Sequence, residues 1–204
     1  MSNDNSLVSD LSTNKSLSSQ KIISDDKTVK TLGLTWDYQE DVFQYTISVS
    51  ENYRVTKRSI LAISAQIFDP MGLIGPFVLK AKIILQMVWQ LGLDWDESVP
   101  MDLHATWTHF YAQIPTLNKI KIPRHVLTLN PVSIELHGFS DASQKAYGAC
   151  CYLKSVDVTG KVQVSLLCAK SRVAPLKTLS LPRLELCASL LLVKLVQRLS
   201  LTKN

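Results

Sequence analysis

The sequence predicts an α+β protein in which an N-terminal β-hairpin is followed by a helical region and then by a β-β-β-α unit. Hydrophobic residues make up 46% of the 204 residues, which is enough to bury a core in one large domain or two small ones. Apolar residues recur with helical spacing in the middle of the chain and alternate as in strands after residue 131. Short links between those last strands predict an antiparallel meander.

The N-terminal part divides into a lead and a hairpin. Residues 1–28 contain eight Ser, three Asn, four Asp and no aromatic residue, a composition typical of a flexible segment. The hairpin is predicted over 29–55, with strands at 31–36 and 42–47 joined by a turn at 37–41.

Three helices are predicted between residues 56 and 114. Thr56 offers an N-cap to the first helix, which places Ile60, Ile63 and Ile67 on one face and ends before the turn Asp69-Pro70-Met71-Gly72. The second and third helices are expected at 76–90 and 101–113. Their aromatic and aliphatic stripes are typical of core packing, and residues 115–131 are interpreted as a connector.

The last unit, 132–204, contains three predicted strands and one helix. The strands are expected at 132–140, 146–153 and 162–169, and Pro182 suits the first turn of a helix that continues to Leu199. Its helical spacing predicts a sheet-facing stripe made of Leu184, Cys187, Ala188, Leu191 and Leu195.

Charge and cysteine usage restrict the class of partner and the location. From Lys161 onward the chain has eight Lys or Arg and a single acid, Glu185, a surplus that suits a polyanion such as nucleic acid, although a solvated helix face gives the same count. The four cysteines form no C-x-x-C pair and lie among apolar residues, so reduced thiols are expected. With no signal peptide and no apolar run long enough to span a bilayer, the sequence indicates an intracellular protein without membrane contact.

Two acids are candidates for chemistry. Asp141, in the stretch HGFSDAS, ends the first strand of the meander, and Glu185 falls in the expected first turn of the last helix. Each has a structural reading, Asp141 as a turn residue bonded to its own backbone and Glu185 as an acid at a helix N-terminus. Alternatively, both converge to hold Mg²⁺ or Mn²⁺, which can drive phosphodiester cleavage. The small residues Ala142 and Ser143 would leave room for a sugar–phosphate chain.

Several motifs resemble a known family. FSDAS followed by AYGA and SLPRLELCASLLL resembles the start of the ribonuclease H domain in retroelement polyproteins. KTLGLTWD, TKRSILAISAQIFDPMGLIGP and LGLDWDE resemble the Pao (BEL/Pao) retrotransposon family, over about residues 29–200. The resemblance implies the end of a reverse transcriptase, with primer-grip hairpin, thumb and connection, followed by an incomplete ribonuclease H.

The resemblance also implies roles for individual residues. Asp141 and Glu185 match the first two catalytic, metal-binding acids of ribonuclease H, with Mg²⁺ or Mn²⁺ expected only if further acids complete the site. Residues expected to contact nucleic acid are Leu32, Gly33 and Leu34 in the hairpin, Lys57 and Arg58 in the thumb, and Ser143 and Arg183 beside the two acids.

Three functions follow as hypotheses. The first is a fragment of a Pol polyprotein that processes an RNA–DNA hybrid together with the remainder of that polyprotein, in the cytoplasm or the element particle. Alone it is expected to be inactive, because the further acids and the polymerase aspartates are missing, and its exposed sheet edge predicts aggregation. The second is a non-catalytic nucleic-acid-binding relic. The third, an aspartic peptidase suggested by the family's other label, lacks the required D-T-G or D-S-G triplet.

Overall fold

A computed structural model describes residues 28–31, 34–50 and 53–201, and its strands form two antiparallel sheets. The first sheet contains β1 (Thr28–Thr31), β2 (Leu34–Asp37), β3 (Val42–Tyr45) and β4 (Lys121–Pro123), in that order. Strands β2 and β3 pair from Leu34 opposite Tyr45 to Asp37 opposite Val42, which confirms the predicted hairpin. The predicted lead lies outside the described residues, except for its last one.

The segment 115–131, which was interpreted as a connector, also contributes a strand to the first sheet. It contains the end of a short helix, α4 (Ile114–Leu117), and the strand β4, which pairs with β3. Arg124 fixes β4 to the hairpin turn, since its Nε donates to Asp41 Oδ1 at 2.5 Å and its backbone N–H donates to the Asp41 carbonyl at 2.9 Å. A three-residue strand that ends in proline is too short to produce an alternating pattern.

The helical region contains α1 (Lys57–Ala65), α2 (Gly75–Gln90) and α3 (Met101–Tyr111). The predicted cap is confirmed: Thr56 Oγ1 accepts the Ser59 N–H at 3.2 Å, and Ser59 Oγ accepts the Thr56 N–H at 3.0 Å. Helix α1 ends earlier than predicted, because Gln66 and Ile67 donate to carbonyls three residues back in a tighter turn.

The core of the first sheet and the helices is apolar and fully buried at its centre. Its largest fully buried side chains are those of Ile60, Ile84, Trp107, Phe110 and Ile114. This burial confirms that the aromatic and isoleucine stripes of the helices are packing surfaces.

The predicted β-β-β-α unit is confirmed, with longer strands. Strands β5 (Pro131–Ala142), β6 (Ala146–Asp157) and β7 (Val162–Val173) form an antiparallel meander in that order, followed by α5 (Leu181–Leu201). Helix α5 packs across β5 and β6. Its sheet-facing stripe is as predicted: Leu184, Ala188 and Leu191 are buried, and Cys187 and Leu195 are half-buried.

The turn between α1 and α2 joins the helical region to both sheets. The Asp69 carboxylate accepts hydrogen bonds from Tyr45 Oη at 3.0 Å and from the Leu73 and Ile74 N–H groups at 2.9 Å each. On the other side, the Met71 carbonyl accepts the Ala169 N–H of β7 at 2.8 Å. The turn is therefore a structural joint. Within the described ranges, no helix is both long enough and apolar enough to cross a bilayer.

Candidate functional site

Asp141 is the next-to-last residue of β5 and lies opposite Gly148 of β6. Its side chain is exposed, and among the described residues it has no hydrogen-bond or ion-pair partner. The turn that follows is closed by Ser143, whose Oγ accepts the Ala146 N–H at 3.2 Å and whose N–H donates to the Ala146 carbonyl at 2.7 Å. Asp141 is therefore not the turn-closing residue, and its carboxylate is free to bind a ligand.

Glu185 lies one residue deeper in its helix than predicted, which places it just beyond the first turn. Helix α5 begins at Leu181, so its first turn contains no acid and Glu185 begins the second turn. The earlier start follows from the Ser180 carbonyl, which accepts the Arg183 and Leu184 N–H groups at 3.0 and 3.1 Å. The effect of the helix dipole falls off within the first turn. Stabilisation of the helix N-terminus is therefore a weaker explanation for an acid at this position. Its carboxylate also has no protein partner in the described part of the chain.

The contact between Gly138 and Leu192 relates the two acids. A Cβ on Gly138 would lie 2.8 Å from Leu192 Cδ1, so α5 crosses β5 at this point. Glu185 precedes Leu192 by two helical turns on the same face, about 10 Å along the axis. Asp141 follows Gly138 by three residues, also about 10 Å along the strand.

Both displacements point toward the turn between β5 and β6. Leu184 lines a cavity of about 500 Å³ together with Gln144 and Lys145 of that turn, so the N-terminal end of α5 and the end of β5 share one end of the sheet. Because side chains alternate along a strand, Asp141 projects from the face opposite to Gly138. An ion shared by the two acids would sit at the edge of β5, and that sharing stays a prediction.

An open groove of about 390 Å³ runs beside Asp141. One wall is the N-terminal turn of α2, with Gly75, Pro76 and Leu79. The other wall is the sheet, where the lining is mostly small or apolar and includes Ala142, Gly148, Phe139, Tyr147, Cys150 and Lys170. Burial raises the pKa of the Cys150 thiol, which disfavours its reactive thiolate form. The small residues leave room for the backbone of a polymeric ligand close to Asp141.

The other predicted contact residues lie in three places. Leu32 and Gly33 lie outside the described residues, whereas Leu34 is half-buried and packs against the helical core. Ser143 is in the turn after Asp141, and Arg183 is exposed in the first turn of α5. The structure thus brings these last two residues to the same end of the sheet as the two acids.

Lys57 and Arg58 lie apart from this group, at the start of α1, and both have protein partners. Lys57 Nζ donates to the Leu93 carbonyl at 3.2 Å, and Arg58 forms two hydrogen bonds with the Asp96 carboxylate at 2.8 and 3.0 Å. Sequence reasoning missed Lys170 in the groove and two exposed tryptophans next to Lys57. The signal for the tryptophans was present, since WQLGLDW places two large aromatics in a segment rich in turn residues.

The donor set is compatible with a partial magnesium site. Among the described residues, no three His, Cys, Asp or Glu side chains lie close enough together to hold a metal ion. Mg²⁺ is usually bound through one or two protein carboxylates, with water and substrate phosphates completing the shell. Two unpartnered carboxylates at one end of the sheet fit that minimal requirement.

The fold and the site together define a class of protein. A three-stranded antiparallel meander whose first strand ends in an acid, followed by a helix that carries a second acid across the sheet, is consistent with a ribonuclease H-like domain. Residues 56–203 match the sequence model of the Pao retrotransposon-like RNaseH-like domain, and the chain belongs to this family. The match begins at Thr56, so the helical region lies within it, together with the second sheet. No curated protein matches the chain.

Proposed function

We propose that this chain is part of a retrotransposon Pol polyprotein and that the end of its second sheet binds an RNA–DNA hybrid for hydrolysis of the RNA strand. The observation that carries the proposal is the location of two unpartnered carboxylates, Asp141 and Glu185, at one end of the sheet, where Asp141 also lines a groove with many small residues in its walls. Family membership supports a more general function than this one, because a ribonuclease H-like domain indicates nucleic-acid binding.

In this proposal the chain's residues position the substrate and the ion. Asp141 and Glu185 hold a divalent cation, and a bound Mg²⁺ or Mn²⁺ supplies activation of water and stabilisation of the leaving oxygen. Ala142 and Gly148 permit close approach of the sugar–phosphate chain. Lys170 in the groove and Arg183 on α5 neutralise phosphates and orient the strand.

The proposal includes low activity for the chain alone. Two acids give poor control over the position of the ion, and catalytic sites need their ligands held within about half an ångström. The remainder of the Pol polyprotein would supply further acids. The first sheet, which includes Leu34, and α1–α3 are proposed as the primer-grip and thumb regions of a reverse transcriptase, in which Lys57 and Arg58 contact nucleic-acid phosphates.

A second candidate is a non-catalytic nucleic-acid-binding protein. It is favoured by the lack of a three-residue metal cluster in the described ranges and by the basic balance of the chain, with a formal net charge of +5. Such a protein would use the same groove and cations without cutting the strand.

The experiment is a cleavage and binding assay with a labelled RNA–DNA hybrid in Mg²⁺ or Mn²⁺. Variants Asp141→Asn and Glu185→Gln are compared with Glu135→Gln, which removes an exposed acid from the same strand and breaks only surface contacts with Lys154 and His137. Slow cleavage that is lost in the first two variants and kept in the third supports the nuclease. Salt-sensitive binding without cleavage supports the second candidate, and the absence of both contradicts the two proposals.

A further inference from the structure

Two tryptophans in the helical region are unusually exposed. Trp89 lies in the last turn of α2 and Trp95 in the loop that follows, and each is 45% exposed. Their ring centroids are 5.5 Å apart, with the ring planes at 90°. Trp107, by contrast, is fully buried in the core. An exposed pair of large aromatic rings is a common feature of binding surfaces.

Two cations lie against these rings. Lys57 Nζ is 4.0 Å from the Trp89 centroid and 5.2 Å from the Trp95 centroid. The Arg58 guanidinium carbon is 5.7 Å from the Trp95 centroid. We refer to Trp89, Trp95, Lys57 and Arg58 as the tryptophan cluster, which combines ring faces with hydrogen-bond donors for phosphate.

The charges around the cluster nearly cancel. Arg58 is paired with Asp96, but both side chains are mostly exposed, at 62% and 71%, and such surface pairs contribute little and exchange readily. Asp94 and Glu97 lie in the same loop, and Arg54 lies close by, bonded to Ser98. The cluster therefore attracts a ligand mainly through its ring faces, with its cations acting only at contact distance.

We propose that the tryptophan cluster binds single-stranded nucleic acid, with unpaired bases stacking on Trp89 and Trp95 and adjacent phosphates contacting Lys57 and Arg58. Stacking on aromatic side chains accepts any base, because every base has a π-face. A phosphate can take the place of Asp96 on Arg58 with the same two-pronged geometry. This inference rests on the proposed nucleic-acid function but uses a surface of the helical region, separate from Asp141 and Glu185.

The test is a titration of the chain with an oligothymidylate of about ten nucleotides, within the usual site sizes. Tryptophan fluorescence is the readout, and quenching is expected. Trp89→Leu and Trp95→Leu should each weaken binding at least about fivefold, the effect of losing one stacked base, and Trp95→Phe should retain most of the affinity. Leu91→Ala is the matched control, since Leu91 is 46% exposed in the same loop but has no ring.

Salt dependence separates the two components of the site. The tryptophan variants should lower affinity by the same factor at every salt concentration, because stacking releases no counterions. Lys57→Gln should instead reduce the slope of log affinity against log salt by about 0.7, the value for one phosphate of a single strand.

Two outcomes overturn the inference and are distinguishable. If the wild-type chain binds the RNA–DNA hybrid but the tryptophan variants bind oligothymidylate as well as the wild type does, the inference is wrong and the proposed function stands. If the wild type binds neither nucleic acid, both are wrong, and the exposed rings serve some other partner such as a protein.

Discussion

Leu192 of α5 lies directly against Gly138 of β5, so closely that a methyl group on Gly138 would be 2.8 Å from Leu192 Cδ1. This contact fixes how near the last helix comes to the edge strand. Because Glu185 is on the same face of α5 and Asp141 is on the same strand, the contact also sets the separation of the two candidate metal ligands.

Gly138→Ala should lower the free energy of unfolding by about 1–3 kcal/mol, the usual cost of overpacking. The added methyl group meets a side chain rather than backbone, so shortening Leu192 should relieve the overlap. We expect the double variant Gly138→Ala/Leu192→Ala to be more stable than the sum of the two single changes predicts. Urea denaturation of the four proteins measures this coupling, and simple additivity would show that the contact does not limit the spacing.

Three glycines distinguish two reasons why alanine would destabilise the turn between α1 and α2. One is a left-handed backbone conformation, and the other is a steric clash with β7. Gly72 has a left-handed φ of 75°, and a Cβ there would lie 2.0 Å from the Ala169 carbonyl oxygen. Gly92 has a similar φ of 62° but no atom within 4 Å of such a Cβ, and Gly75 has neither feature.

Gly75→Ala should be neutral or stabilising by up to about 1 kcal/mol, and Gly92→Ala should cost about 1–2 kcal/mol through backbone strain alone. Gly72→Ala should cost clearly more than Gly92→Ala, because β7 must also move away. Thermal denaturation of the three variants measures the order. Equal losses of stability in the Gly72 and Gly92 variants would mean that a side chain at position 72 does not clash with β7.

The pair of Asp41 and Arg124 predicts a specific acid sensitivity. The Arg124 guanidinium beside Asp41 holds the pKa of that carboxyl below its usual value, against the opposing effect of burial. A depressed folded-state pKa stabilises the fold above the unfolded pKa of about 3.9, and this contribution is lost as the pH falls through the folded pKa.

Arg124→Met should therefore destabilise the protein near pH 7, and the difference from the wild type should shrink below about pH 4. Urea midpoints measured between pH 2.5 and 7 provide the comparison. Arg58→Met is the control, because its pair with Asp96 is exposed and little change is expected at any pH. A constant difference across the pH range would show that the arginine acts through packing on Trp36, whose ring centroid is 5.3 Å away.

The cross-strand thiols Cys151 and Cys168 should resist modification. They are opposite each other on β6 and β7, Cys151 is fully buried, and burial raises the pKa of Cys168 to about 11. Because the thiolate is the reactive form, Cys168 should react at pH 8 on the order of a hundredfold more slowly than a free thiol. The rate of modification is measured from colour development with a disulfide reagent, with and without urea. Rapid labelling of both thiols in the native protein would contradict the packing of the sheet.

Local patterns were sufficient for the parts of the fold that depend on neighbouring residues. Thr56 as an N-cap predicts the start of α1, and the period-two runs after residue 131 predict the meander. The strand β4 could not be predicted, since only its pairing with β3 and the bond from Arg124 to Asp41 make three residues a strand. Likewise, a carbonyl at Ser180 moved the start of α5 and placed Glu185 in the second turn.

The sequence by itself determined the order of the elements, the apolar face of each helix and the two acids worth attention, because periodicity and side-chain chemistry are local properties. The tertiary structure decided what surrounds those acids. It brought the end of β5 and the N-terminal end of α5 to one end of the sheet through the contact of Gly138 with Leu192, and it left Trp89 and Trp95 on the surface. Such arrangements depend on contacts between residues far apart in the chain, and local sequence patterns do not encode these contacts.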